Sequence, residues 1–271
     1  MDNTETRSIL DTPFFLSTET VEQFHENGWV KLDNIMGQDD LQPYRKAIQA
    51  EVSQRQKDFK PLQERDTYGK AFLQIMNLWR SNEVIRQFVM AKRFAGIAAK
   101  LLGVEKVRIY HDQALFKEAG GGPTPWHQDQ YYWPLDTDKT LTMWMPLVDL
   151  NESMGILQFA SGSHRHENKE QIAISDQSNH YFDELVHHNA YSISDLKSIC
   201  AGDATFHYGW TMHYAPGNIG NRMREVMTVI YFADGAKVTQ PDHVHKETDL
   251  RQWLPGCQAG DLAASPINPV V

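Results

Sequence analysis

His127-Gln128-Asp129 brings an imidazole and a carboxylate within two positions of each other, and a second imidazole, His213, follows 84 residues after Asp129. Two histidines and one carboxylate make a three-point face for a divalent transition metal and leave the opposite coordination positions open, the ligand set with which mononuclear ferrous sites meet dioxygen. Arg224, eleven residues beyond His213, supplies a planar guanidinium fork suited to the two oxygens of a carboxylate. A 2-oxo acid could chelate such an ion through its keto oxygen and C1 carboxylate, place its far carboxylate on Arg224, and leave one position for O2.

The tripeptide is weak evidence taken alone. With twelve histidines in an acidic chain, His-x-Asp/Glu is expected about once or twice by chance, and it occurs twice, the second time as His245-Lys246-Glu247. Position separates them. His127 follows a Gly/Pro turn, Gly120 to Pro125, and in a strand residues i and i+2 share a face, so His127 and Asp129 can reach one ion. The second match lies in a polar stretch past the last strand and reads as solvated surface; the lesser alternative there is a metal pair made of His243 and His245. His207 competes with His213 for the distal ligand role. Asn218 and Arg224 downstream favour His213.

These residues need a scaffold, and the pattern changes along the chain. Ser17-Thr18-Glu19-Thr20 opens a short helix over about 18–26, stopped by Gly28, and Trp29 to Leu32 alternates as a strand. Residues 39–56 carry helical spacing (Leu41, Tyr44, Ile48, Val52), with Pro43 tolerated in the first turn. Two more helices fit 84–102. From Val107 the period turns to that of strands: 107–110, 113–116, 141–148, 155–159, 204–207 and 226–232, separated by Gly, Asn, Asp and Pro turns. Helices followed by many short strands predict an α+β architecture in one domain spanning 1–271, with a closed β core over about 15–235. The polar, His-rich stretch 161–201 reads as a lid or binding-loop insertion. Four of its histidines (164, 166, 187 and 188) read as surface residues.

Composition bounds the function. The formal charge of −9 argues against a nucleic-acid partner and against a tight coenzyme A site. Two cysteines, Cys200 and Cys257, exclude a disulfide framework. The opening residues have neither the basic nor the apolar region of a signal peptide, and no run approaches the ~18–20 apolar residues of a membrane span, so a cytoplasmic setting is expected. Oligomeric state is not legible.

Taken in order, His-x-Asp, Trp144 seventeen residues after His127, Gly202-Asp203 before a strand, then His213 with Asn218 at +5 and Arg224 at +11 resemble the phytanoyl-CoA dioxygenase-like Fe(II)/2-oxoglutarate oxygenases. The likeness covers about 15–235 and is densest from His111 to Lys117 and from Trp126 to Gln130. It implies a double-stranded β-helix, a cupin-like jelly roll with N-terminal and flanking helices. It implies Fe(II) held by His127, Asp129 and His213, with 2-oxoglutarate and O2 as co-substrates, and Arg224 on the distal carboxylate of 2-oxoglutarate. Trp144 and Gln113 would line the same pocket, and Gln74 is placed at the nearby wall. The hydroxyl residue often found two after the distal histidine is Ala215 here, so that contact is missing. Related halogenases replace the carboxylate with a small residue; Asp129 is present, which favours hydroxylation of an unactivated C–H of a small molecule, with release of succinate and CO2. Tyr131, Tyr132 and Trp133, read as a strand beside the metal, are expected to offer side chains to the substrate. Two other classes compete: a metal-dependent hydrolase or isomerase using the ion as a Lewis acid, and a non-catalytic binding barrel.

Overall fold

In the computed structural model the described residues are 8–166 and 172–271. Helix α1 (Thr18–Asn27) begins where Ser17 Oγ accepts the Thr20 amide at 3.1 Å and ends at Gly28, which takes the left-handed conformation with φ +81°. Strand β1 (Trp29–Leu32), α2 (Gln38–Arg55), α3 (Thr67–Ala71), β2 (Leu73–Met76), α4 (Glu83–Val89) and α5 (Lys92–Leu102) complete the N-terminal part. The remainder is mostly strand: β3 (Val107–Phe116), β4 (Thr124–His127), β5 (Thr140–Pro146), β6 (Leu150–Asn151), β7 (Gln158–Phe159), α6 (Asp176–His188), β8 (Ser198–Ile199), β9 (Ala204–Tyr208), β10 (His213–Ala215), β11 (Val226–Ala233) and α7 (Val244–Trp253).

The strands form a six-stranded antiparallel sheet in the order β1-β9-β5-β11-β3-β2, a three-stranded sheet β4-β10-β7, and a small β6-β8 pair. From β3 to β11 the chain crosses repeatedly between the large and small sheets, which is the winding of a double-stranded β-helix, the jelly roll expected from the resemblance. The large sheet is covered on its outer face. Leu141, Met143 and Met145 of β5 and Met227, Val229 and Tyr231 of β11 join α2, α4 and α5 residues such as Ile48, Phe88 and Phe94 in one core. The alternate residues Thr142, Trp144 and Thr228 point to the opposite face and line an internal cavity.

Strand β3 shows how one extra residue decides what faces that cavity. Ile230 pairs with His111 and Tyr231 with Ile109, so Tyr110 is bulged. The bulge reverses the in-out parity: Val107 and Ile109 lie in the outer core, yet His111, Gln113 and Leu115 face the cavity. Without it these three would point into the helix layer.

Several boundaries differ from expectation. The two strand pieces at 107–116 are one ten-residue strand. The expected strand 155–159 shrinks to Gln158–Phe159, because Gly155 turns the chain at φ +75°. The Gly/Pro turn ends early, and Thr124 starts β4. The stretch 161–201, of which 167–171 lie outside the described residues, contains α6, capped by Ser175 and seated on β4 through Phe182 and Val186, which pack with Trp126 and Met212. His187 and His188 are exposed on α6, as expected, whereas His164 is half-buried and stacks on Tyr208. Among the described residues no helix is long and apolar enough to cross a membrane.

Candidate metal centre and active site

Strands β4 and β10 run antiparallel with His127 directly opposite His213, which brings their rings to 4.1 Å between centroids. Each ring is locked in the same way. His127 Nδ1 contacts Pro125 O at 2.8 Å and His213 Nδ1 contacts Thr211 O at 2.9 Å. A carbonyl only accepts, so both Nδ1 atoms carry the proton and both Nε2 lone pairs are left free for an ion. Asp129 closes the triangle: its Oδ1 lies 3.5 Å from His127 Nε2 and 3.7 Å from His213 Nε2. One ligand atom from each of His127, Asp129 and His213 falls within 4.8 Å of the other two.

Protonation states suit a metal. Burial drives His213 well below the ordinary histidine value, with the His127 and His207 rings acting in the same direction. Burial pushes the Asp129 carboxyl up, but the His213, His127 and His207 rings around it outweigh this and hold it well below the ordinary carboxylate range. The ligands are thus a neutral imidazole and a carboxylate in the forms that coordinate. Asp129 Oδ2 accepts the Thr142 hydroxyl at 2.9 Å, which orients the carboxylate from β5.

Arg224 lies two residues before β11, bridged to Lys117 and 1% exposed. Its Nη1 donates to Gly155 O at 2.5 Å, the guanidinium lies over the Trp144 ring at 5.6 Å, and among the described residues Nε has no partner. Among the described residues no carboxylate pairs with it. A buried cation with an unused donor is costly unless an anion arrives, and burial lowers its pKa to about 9. An iron ion and the distal carboxylate of a 2-oxo diacid therefore fit the two halves of this donor set.

Both halves open into one cavity of about 290 Å³. It is lined by all four of these side chains and by the expected Trp144, Gln113, Gln74, Tyr132 and Trp133. Gln74 Nε2 donates to Gln113 Oε1 at 2.7 Å, and the Tyr68 hydroxyl donates to Gln74 Oε1 at 3.3 Å, so these side chains form one polar rail along β2 and β3. Tyr131 is a correction. Residues 129–132 form a 3-10 turn rather than a strand, which removes the strict alternation and turns Tyr131 away to stack on His243 at 4.3 Å. Tyr132 stays at the cavity and accepts the Ile174 amide at 2.8 Å, tying the metal turn to the segment before α6.

His207, the rival ligand, is in the site rather than elsewhere. Its Nε2 is 3.4 Å from Asp129 Oδ2, its ring is 4.4 Å from that of His213, and among the described residues neither of its nitrogens has a hydrogen bond. His243 and His245 join no three-ligand group among the described residues, and His243 Nδ1 accepts the Lys246 amide at 3.3 Å as the cap of α7. The reading of this C-terminal stretch as solvated surface is overturned as well. His245, Thr248, Asp249, Gln252 and Trp253 line the cavity. Their spacing is that of one helical face (i, i+3, i+4, i+7, i+8), a signal present in the sequence but masked because the face is polar. His111 and Tyr68 were also missed; burial keeps His111 uncharged, its pKa down to about 3 against the pull of Asp129.

Residues 24–226 match the model of the phytanoyl-CoA dioxygenase (PhyH) family. The chain belongs to that family. It is similar to a probable alpha-ketoglutarate-dependent hypophosphite dioxygenase of Stutzerimonas stutzeri, 26% identical over 163 residues, which are 57% of this chain and 54% of that protein. The chain thus aligns with about half the length of that curated relative. Among solved structures it resembles the non-heme alpha ketoglutarate dependent carbocyclase SnoK from nogalamycin biosynthesis, with TM-score 0.78, 24% identity, and coverage of 96% of this chain and 99% of the other. It also resembles EctD from S. alaskensis, crystallised with 2-oxoglutarate and 5-hydroxyectoine, with TM-score 0.70, 19% identity, and coverage of 89% and 86%. Family membership places the chain among the iron- and 2-oxoglutarate-dependent oxygenases.

Proposed function

We propose that this PhyH-family chain, acting as one domain, couples oxidative decarboxylation of 2-oxoglutarate to hydroxylation of an unactivated C–H in a small-molecule substrate, releasing succinate and CO2. The observation that carries the reading is the joint placement of the His127-Asp129-His213 face and the buried, anion-seeking Arg224 in one cavity. Ferrous iron, when bound, supplies the activation of dioxygen that no side chain can perform.

The chain's own part is orientation and shielding. His127, Asp129 and His213 would hold the ion, and the Pro125 and Thr211 carbonyls fix the two rings. Arg224, braced by Gly155 O and Trp144, takes the distal carboxylate of 2-oxoglutarate. Gln113 and Gln74 offer amide groups in the same cavity. Tyr132, Trp133 and Trp253 surround the remaining space with apolar area, which excludes water from the reacting C–H.

SnoK is named as a carbocyclase and the similar SnoN as an epimerase, so the fold carries more than one outcome. Retention of Asp129 supports hydroxylation over halogenation here. The test is substrate-triggered succinate formation that requires Fe(II) and O2 and disappears in both His127→Ala and Asp129→Ala. Turnover with zinc in the absence of O2 would instead show a Lewis-acid hydrolase or isomerase.

A further inference from the structure

The metal centre and Arg224 account for one wall of the cavity. Another part of the wall is α7, which begins eighteen residues beyond the 24–226 stretch that matches the family model. Asp249 stands on that wall. Its Oδ2 accepts the Tyr110 hydroxyl at 3.0 Å, and the Trp253 indole lies beside it. Tyr110 is fully buried, the bulged residue of β3, and burial first, then Asp249, keep its phenol protonated and a donor. The carboxylate is therefore aimed by the core rather than loose on a helix surface. His111, 3% exposed, follows Tyr110 on β3; its ring is 5.1 Å from that of Trp253, and among the described residues its Nδ1 has no hydrogen-bond partner.

Charge balance makes this wall specific. In the loaded centre the charges of ferrous iron and Arg224 are matched by Asp129 and the two carboxylates of 2-oxoglutarate. Among the described residues lining the cavity there is no Lys and no Arg besides Arg224. Asp249 is then the carboxylate without a cationic partner, and burial raises its pKa to about 7 despite the Tyr110 and Trp253 contacts. A cation delivered by the substrate would remove that penalty, as a paired buried charge is far better tolerated than a lone one.

We propose that Asp249 is a specificity-determining residue whose carboxylate, aimed by Tyr110, takes the ammonium group of an amine substrate whose apolar body packs against Tyr132, Trp133 and Trp253. This rests on the preceding reading only in assigning the substrate to the same cavity. The unused Nδ1 position of His111 gives the amine, or a hydroxyl beside it, a second polar contact.

The experiment uses three probes of one shape and different charge: 2-phenylethylamine, 2-phenylethanol and 3-phenylpropionate. Binding to the full chain is followed by calorimetry and tryptophan fluorescence, with and without Fe(II) and 2-oxoglutarate, in the absence of O2. The expected result is at least a tenfold preference for the amine over the alcohol, about 1.4 kcal/mol, and a larger one over the carboxylate. Asp249→Asn should abolish the preference, and Tyr110→Phe, which leaves the carboxylate but not its orientation, should reduce it. Equal affinity for amine and alcohol, a preference that survives in Asp249→Asn, or no amine binding at about 10 mM overturns the proposal. In the same samples the charge-transfer absorption of iron with 2-oxoglutarate reports the metal centre. Its formation without amine selectivity defeats only this inference, and its absence defeats the reading of the centre while amine selectivity is still measured on the metal-free chain.

Discussion

Replacing Arg224 by Met tests the co-substrate end of the cavity with little change in volume. Arg224 is 1% exposed, and among the described residues its guanidinium holds one hydrogen bond, to Gly155 O, with Nε unused. A desolvated guanidinium–carboxylate pair loses roughly 3–5 kcal/mol when one partner is removed. Part of that is the penalty of leaving the other charge buried, so the lower figure is the relevant one here. About 3 kcal/mol corresponds to roughly 150-fold weaker 2-oxoglutarate binding. Pyruvate provides the control, because it keeps the chelating keto acid and lacks the distal carboxylate. In a cycle of two proteins and two ligands, the 2-oxoglutarate affinity should fall by about 150-fold and the pyruvate affinity by less than about threefold, leaving a coupling above about 2 kcal/mol. The assay is anaerobic titration of the Fe(II) protein followed by its charge-transfer absorption, with thermal unfolding as a check that the variant folds. Equal losses for the two ligands, or a coupling below about 0.5 kcal/mol, would show that Arg224 does not hold the distal carboxylate.

Thr142→Val removes the hydroxyl that orients Asp129 Oδ2, and loss of a group that positions a ligand typically weakens metal affinity by about 10–100-fold; competition with an Fe(II) chelator measures it, and an unchanged affinity would count against this role. Asp249 gives a pH dependence. Its folded pKa is raised from 3.8 to about 7, so between those values the folded chain retains a proton that the unfolded chain has lost, and stability falls as pH rises through that window. The three-unit shift bounds this loss at about 4 kcal/mol. Urea unfolding should find the substrate-free Asp249→Asn variant gaining on the parent between pH 4.5 and pH 8; a constant difference refutes the assignment. Gly202 has φ +87°, and a Cβ there would lie 2.0 Å from Met36 O. Gly202→Ala should therefore lower the unfolding free energy by more than about 2 kcal/mol, read by the same method, and a neutral result would mean the Met36 turn yields easily.

The sequence by itself determined the metal face, the arginine and the barrel. His127 and Asp129 are two apart, His213 and Arg224 eleven apart, and the alternation in 141–148 and 226–232 can close a sheet; these are local properties of chain geometry. The helices over 18–26 and 39–56 were legible for the same reason, since caps and apolar spacing act within a few residues. Tertiary structure alone decided the substrate side. The bulge at Tyr110 depends on how β3 registers against β11, and only that register sends His111 and Gln113 inward. His207 reaches Asp129 because β9 lies beside β5 in the large sheet. Helix α7 becomes a cavity wall through Leu250 and Trp253 packing beside Tyr110 and Trp133, contacts with partners more than a hundred residues away. A polar helical face has no hydrophobic pattern to announce it, so its burial could be known only from what the rest of the chain places opposite.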